Sequence, residues 1–473
     1  MIEITNSAII IRNKSSNVSG DKSYNGLVKK FSIYDEITHS YKNQIYTEID
    51  NDIYLPATIS QLTVEKLYPY KTVYKHINKY KITPIEIEMV NKPRSQEQIE
   101  AIEFLSNQYN HHKMVCSGTG IGKTFCSISA IAKLKMRTIV FVDTIVLAEQ
   151  WKNQILEHSN LKDSDIIMIS GAKSIEVAKN IDFKIIIAQH MTINGLLSKN
   201  QFALNDLMLE LGIGIRIFDE AHTNYNNISK ILSLSNVEHN IYLTATPGRS
   251  QWRESALWKT IFGTIPTYSG IKTDKAGHVQ TIMLAYNSNP SVKNIEFCNT
   301  KRGFSQDKYA STILKFKFDI YFNTLIKIFN KFKLFDIERK IAIVLPSLNL
   351  INKTSEELLK IRPDLDVGIL TSDTPKKDRI DTMKKRVFIT TEKMFNKGID
   401  ISDLEIIINY VPFNSKIIAE QLIGRLRNVT GYAHTMIDVT DVGYEACIKH
   451  QISRKSVYKK KSAELTSIQQ LLW

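Results

Sequence analysis

Two stretches of this 473-residue chain carry residue types whose spacing could do chemistry. The first is Ser117–Thr124, read SGTGIGKT. It follows a short apolar run (Met114, Val115, Cys116) and opens onto Phe125–Lys135, where Phe125, Ile128, Ile131 and Leu134 recur at helical spacing. Strand, glycine loop and helix in that order are the setting in which a backbone wraps phosphate. Gly118, Gly120 and Gly122 permit the curl, so that the N–H groups of the loop, those of Thr119 and Ile121 included, converge on phosphate oxygens. The helix starting near Lys123 adds the positive end of its dipole. Lys123 is placed to reach the β- and γ-phosphates, and Thr124 to offer a hydroxyl to Mg²⁺. Ser117 stands where the strict pattern has glycine. The second stretch is Asp219-Glu220-Ala221-His222, at the end of the apolar run Ile213–Phe218. Alone, an acid pair is a solvated turn. After a buried strand and downstream of a phosphate loop, Asp219 suits Mg²⁺ held through water, and Glu220 suits orienting or deprotonating an attacking water. ATP and Mg²⁺ are therefore the expected cofactors.

These groups need a frame. Arg137–Asp143 (RTIVFVD), Lys184–Ala188 (KIIIA), Ile213–Phe218 and Ile241–Leu243 read as strands, with helices at Leu147–Leu156 and Gln201–Leu211 between them. Near-continuous apolar strands alternating with helices imply a parallel sheet covered on both faces. Ligands bind such sheets beyond the carboxyl ends of the strands. Both SGTGIGKT and Asp219-Glu220 fall at such ends. Leu243-Thr244-Ala245-Thr246-Pro247 leaves another strand, and its hydroxyls suit a relay between nucleotide and a bound polymer, or an ordinary exit. Gln98, ahead of the phosphate loop, is a candidate to clamp an adenine edge, with Gln96 its rival. A second α/β lobe, residues 306–445, has strands at Lys340–Leu345, Val367–Leu370, Arg386–Thr390, Glu405–Asn409 and Thr435–Val439 and no second phosphate loop. The stretch 306–333 is helical with room for a break.

Four further boundaries complete the expected organisation. Residues 1–90 form an accessory α+β or β-rich domain, dense in tyrosines and lysines that serve either to bind DNA or to build a small core. Residues 91–270 are the first lobe. Residues 271–305 read as a hairpin-like bridge, with a strand at Gly277–Ala285 and turns at 287–291 and 299–303, and a loose linker is the alternative. Residues 446–473 are a basic tail. A formal charge of +14 favours a polyanionic partner, nucleic acid first. The four cysteines lack CxxC spacing and read as free thiols in a reducing compartment. With no apolar run approaching ~18 residues, the expectation is an intracellular protein without membrane contact or an obligate protein partner.

Together, SGTGIGKT, Asp219–His222, LTATP and the downstream QLIGRLR (Gln421–Arg427) resemble the nucleic-acid motors of helicase superfamily two, over about residues 92–440. By likeness, Val142–Trp151 corresponds to a strand-contacting motif that usually has proline where Asp143 stands, and Ala188-Gln189-His190 to the next. The resemblance implies two tandem RecA-like lobes with an ATP cleft between them. It implies that Gly398 and Asp400, in Phe395–Asp400, couple the lobes, and that Arg425 and Arg427, on a helix, face the departing phosphate. The family's second arginine falls three positions after the first; here Asn428 stands there and Arg427 one earlier. In size and organisation the chain resembles compact phage and viral DNA helicases of the UvsW type. That implies an ATP-dependent DNA helicase or translocase working on forks and Holliday junctions, by unwinding or branch migration, in replication and recombination, in the host cytoplasm if phage-encoded. An RNA helicase or transcript-release ATPase and the motor subunit of a restriction complex are the alternatives.

Overall fold

The computed structural model describes the chain except for residues 13–21, 37, 70–71, 76–80, 118–120, 170, 246–251, 271–275, 301–302, 397–400, 402, 427–432 and 469–473. It divides into two units, residues 1–271 and 272–473.

The first unit is built on a seven-stranded sheet in the order Ile166–Ile169, Ile185–Gln189, Thr138–Val142, Ile215–Phe218, His239–Thr244, His112–Cys116 and Thr267–Tyr268, every neighbouring pair parallel. The central strands are buried on both faces, as their continuous apolar sequence requires. Cross-strand neighbours Phe141, Phe218 and Tyr242 stack ring on ring, at 5.1 and 5.5 Å between centroids. Helices Gln96–Leu105, Lys123–Leu134 and Ile145–His158 pack in sequence against this sheet and each other.

Residues 1–75 bring a second, five-stranded sheet in the order Thr47–Ile49, Asp52–Pro56, Ala8–Ile11, Ile2–Ile4, Val73–Lys75. The expected β-rich sheet is there, but it is not a free-standing module. Its core is continuous with that of the parallel sheet. Arg216, fully buried on the Ile215–Phe218 strand, donates to Ser7 Oγ (3.2 Å), Asn240 Oδ1 (2.8 Å) and Ser235 Oγ (2.6 Å). Buried charge with that many fitted acceptors locks the two sheets together. Of the tyrosines in this region, Tyr46, Tyr54 and Tyr68 are core, whereas Tyr34 and Tyr74 are exposed.

The second unit carries another seven-stranded, all-parallel sheet. Its order is Val367–Leu370, Val387–Thr391, Ile341–Leu345, Ile406–Asn409, His434–Asp441, Ala276–Tyr286 and Ser462–Ile468. This corrects two expectations. The strand expected at Gly277–Ala285 does not belong to a hairpin excursion: Ala276–Tyr286 is an eleven-residue strand inside the sheet, and among the described residues of 271–305 only Asn299–Thr300 with Gly303–Phe304 pair as a hairpin. Nor is the basic stretch 446–468 only a solvated tail. Helix Glu445–Lys461 returns the chain to the sheet, and Ser462–Ile468 pairs with Ala276–Tyr286. Arg454, counted among the basic tail residues, is fully buried. It donates to both oxygens of Asp438 (3.0–3.2 Å) and to the carbonyl of Phe413 (2.7 Å). The break within 306–333 is a π-helical turn, Ile313–Lys317, between helices Gln306–Thr312 and Phe318–Lys331.

Candidate ATP site

Adjacent strands of the first sheet end in the loops that hold the residues singled out by sequence. His112–Cys116 leads into the phosphate loop, His239–Thr244 ends on Thr244, Ile215–Phe218 on Asp219, Thr138–Val142 on Asp143, and Ile185–Gln189 on His190. The parallel arrangement places all five at the carboxyl edge, where strand amides and carbonyls left without a ladder meet ligand.

Within the phosphate loop, Gly118, Thr119 and Gly120 lie outside the described residues. Gly122, the cap of helix Lys123–Leu134, has φ of +82°, and a Cβ there would lie 2.7 Å from Gln98 Nε2. Only glycine satisfies both the dihedral and the approach. Lys123 Nζ donates to the carbonyl of Ser117 at 2.9 Å, so its ammonium turns back over the loop it serves. Gln98 is buried and both ends of its amide are engaged: Oε1 accepts from the N–H of Arg94 (2.8 Å) and Nε2 donates to the carbonyl of Ile121 (2.7 Å). In this arrangement it braces the phosphate loop, and each end of the amide keeps one further donor or acceptor site. Gln96 is exposed beside Glu100. Buried Lys113 secures the other end of the Gln98 helix, donating to the carbonyls of Leu105 (2.6 Å) and Asn107 (2.7 Å), and burial pulls its pKa down to about 8.

Asp219 is held at both oxygens. Oδ2 accepts from the indole N–H of Trp151 (2.8 Å), and Oδ1 from the N–H of Glu220 (2.9 Å). Desolvation and the neighbouring Glu220 charge push its pKa up to about 6, against the opposing pull of Trp151 and Lys123. Glu220 itself has φ of +48°, a left-handed conformation that a non-glycine residue adopts only when its surroundings impose it. Those surroundings are visible. The N–H of Ala221 donates to the carbonyl of Leu243 (2.9 Å), and the N–H and hydroxyl of Thr223 donate to the carbonyl of Glu220 (2.8 and 2.9 Å). The Glu220 carboxylate lies 3.2 Å from His222 Nδ1, which is 3.0 Å from Thr244 Oγ1. The carbonyl of Thr244 accepts from the N–H of Ser117 at 3.1 Å. Thr244 thus connects the acid loop to the phosphate loop through its own two oxygens.

Sequence reasoning gave no role to a third connection. Asp143 accepts from Thr223 Oγ1 (2.7 Å) and from Asn224 Nδ2, and lies 3.7 Å from buried His190, whose pKa burial lowers. One carboxylate therefore ties the loop after Thr138–Val142 to the loop that carries Glu220. The departure from proline at position 143 was the signal that marked it. Trp151 was legible as a helical residue, but its bond to Asp219 spans 68 positions and had no local sign.

In the second unit, helix Lys416–Ile423 is capped by the Ser415 side chain and ends before Arg425, which sits in the following turn. For Arg425 the expectation of a place on the helix is corrected by that one turn. Gly398, Asp400 and Arg427 fall outside the described residues, as do Thr246 and Pro247.

A glycine loop capping a helix and an acid pair two strands away on a parallel sheet define a phosphate-loop nucleotide-binding fold, here followed by a second parallel α/β lobe. The sequence matches the family "Type III restriction enzyme, res subunit" over residues 87–249 and "Helicase conserved C-terminal domain" over residues 320–429. The chain belongs to helicase superfamily two, and its two sheets are tandem RecA-like lobes. Among curated relatives, the XPB helicase/translocase subunit of general transcription and DNA repair factor IIH from Enterocytozoon bieneusi is 29% identical over 139 residues, 28% of this chain and 23% of that protein. The DNA 3'-5' helicase XPB of Kineococcus radiotolerans is 25% identical over 143 residues, 30% of this chain and 24% of that protein. The matched segments thus span about a quarter of these relatives' own length. Among solved structures, S. cerevisiae Dbp5 bound to RNA and ADP BeF3 superposes with a TM-score of 0.58 at 17% identity, covering 80% of this chain and 90% of that one.

Proposed function

We propose that the chain is a nucleic-acid-dependent ATPase that moves along DNA as a helicase or translocase. The single observation that carries this reading is the convergence of Lys123, Asp219, Glu220 and Thr244 at one carboxyl edge, wired together by the His222–Thr244–Ser117 contacts. Lys123 would leave the Ser117 carbonyl for the nucleotide's terminal phosphates. Glu220, pinned by its backbone, would orient water for in-line attack and take its proton. Thr124 and Asp219 are the donors for Mg²⁺, which would neutralise charge on the β- and γ-phosphates. The fit is chemical: among the described residues no group of three or more His, Cys, Asp or Glu forms a protein cage, and Mg²⁺ of this type takes one or two protein oxygens, phosphates and water. An enclosed Asp219 with an elevated pKa is also a carboxylate that a cation would discharge. Arg425 is our candidate for stabilising the departing phosphate, and Gly398 and Asp400 for coupling the lobes.

One relative is named a DNA 3'-5' helicase and another a helicase/translocase subunit of a DNA repair factor, which supports DNA over RNA as substrate. The finer reading is remodelling of branched DNA, forks and four-way junctions, in phage or viral replication and recombination; it rests on organisation and size. A matched panel tests it: ATPase and unwinding on single strand, linear duplex, fork and four-way junction. Equal rates on linear duplex and fork would remove the branched-DNA reading and leave the motor. Lys123→Ala is expected to abolish turnover, and Glu220→Gln to slow it at least ~100-fold with ATP still bound. Normal turnover in both would refute the site.

A further inference from the structure

The Phe318–Lys331 helix covers one face of the second sheet. Its Tyr321, Leu325, Ile328 and Phe329 are buried in the core, while the opposite side is left open. Along that open side Ile320, Asn323 and Lys327 follow one another at helical spacing, and exposed Phe316 precedes them in the chain. Phe316 is 65% exposed and Ile320 37% exposed, unusual for large apolar side chains of a buried helix. Phe316 belongs to the π-helical turn, between Lys315 and Lys317. Such a turn breaks the regular helical ladder and commonly marks a functional position.

Beside this strip the turn after Ala276–Tyr286 forms the wall of a cleft of about 370 Å³, lined by Asn287, Asn289, Ile320, Asn323 and Lys327. The turn is rigidly held. Asn289 has φ of +49° and its N–H donates to Asn287 Oδ1 (2.8 Å), while the N–H groups of Ser288 and Gly443 both donate to Asp441 Oδ1 (3.1 and 3.0 Å). The cleft lies at the carboxyl edge of the sheet: Tyr286, the last residue of its strand, touches Tyr321 and Tyr410, and Tyr410 follows the Ile406–Asn409 strand.

An open aromatic face and, over residues 315–327, three lysines against the single acid Asp319 have the chemistry of a stacking platform with a phosphate grip. We propose that this strip binds one strand of DNA, a base stacking on Phe316, Lys327 holding a phosphate, and the Asn287–Asn289 turn bounding the path. The inference rests on the helicase reading and adds a contact surface outside the motifs that support it.

The test measures binding of the full chain to a fluorescent single-stranded oligonucleotide, with and without salt. Phe316→Ala is expected to weaken binding about tenfold, the scale of one lost base stack, with an unchanged salt slope. Phe316→Trp should restore it. Lys327→Ala should reduce the salt slope by about 0.7, one phosphate contact on a single strand. The urea unfolding transition of all three should match the wild type, showing that the lobes are folded. Wild-type affinity and slope in Phe316→Ala and Lys327→Ala, with a wild-type chain that does bind DNA, overturn the strip and leave the helicase reading standing. A wild-type chain that fails to bind DNA overturns both.

Discussion

Asp219→Asn separates the stability of the first unit from its activity. In the folded chain the Asp219 carboxyl titrates near 6, against an ordinary value of 3.8, because it is enclosed beside Glu220. A raised carboxyl pKa means that the native state keeps a proton which the unfolded chain has already lost. This stabilising contribution is complete below about pH 4 and disappears as pH rises through 6. The interval of about two units corresponds to on the order of 3 kcal/mol at most, since Asp219 retains some contact with water; roughly half of it falls between pH 5 and 8. Asparagine cannot ionise. It also loses one of the two acceptors that serve Trp151 and the Glu220 N–H, a pH-independent cost of about 1–3 kcal/mol. The variant-minus-wild-type stability should therefore climb with pH, whatever its sign at the start. Hydrogen exchange of the Ile215–Phe218 amides, measured from pH 5 to 8 after correction for the intrinsic rate, reports this unit alone. ATP turnover should be lost throughout. Two stability curves running parallel across that range would refute the assignment of a raised Asp219 pKa, and with it the picture of an acid pair waiting for a cation.

Gly122→Ala should abolish ATP binding, and adding Gln98→Ala should recover only part of it, because the second change removes the 2.7 Å approach but not the positive φ; nucleotide titration of both variants decides. Asp143→Leu releases Thr223 and Asn224 and should lower kcat several-fold with KM for ATP unchanged, as expected of a group that positions Glu220 from behind. Arg454→Ala leaves Asp438 buried without its partner and should destabilise the second unit by about 3–5 kcal/mol, read from its urea transition, while nucleotide binding by the first unit persists.

The parts of this molecule that declare themselves in sequence are those governed by local pattern. Continuous apolar strands such as Thr138–Val142 and Ile185–Gln189 have no polar face to spare and must be covered on both sides, so the lobes and their carboxyl-edge loops could be read directly. What could not be read depends on partners far along the chain. Lys113, Arg216 and Arg454 look like surface charges and are buried, because carbonyls, hydroxyls and a carboxylate reach them from other elements. Ser462–Ile468 has only Leu465 and Ile468 as large apolar residues, too few to advertise a strand at the sheet's edge. The position of Gln98 ahead of the loop is legible, but its bonds to Arg94 and Ile121, which brace the loop, are not. Trp151 and Asp143 bear on the acid loop only through contacts that span 68 to 81 positions.

The strand Ala276–Tyr286 has a consequence for the order in which the protein is made. It is the first strand of the second unit to leave the ribosome, and its neighbours in the sheet, His434–Asp441 and Ser462–Ile468, are the last. The first unit can close on itself while this eleven-residue, largely apolar strand still waits without either edge paired. During that interval it is a template for a strand of another chain. Synthesis that stops short of residue 462 leaves one edge open for good, and the harm would be seen as aggregation of nascent protein.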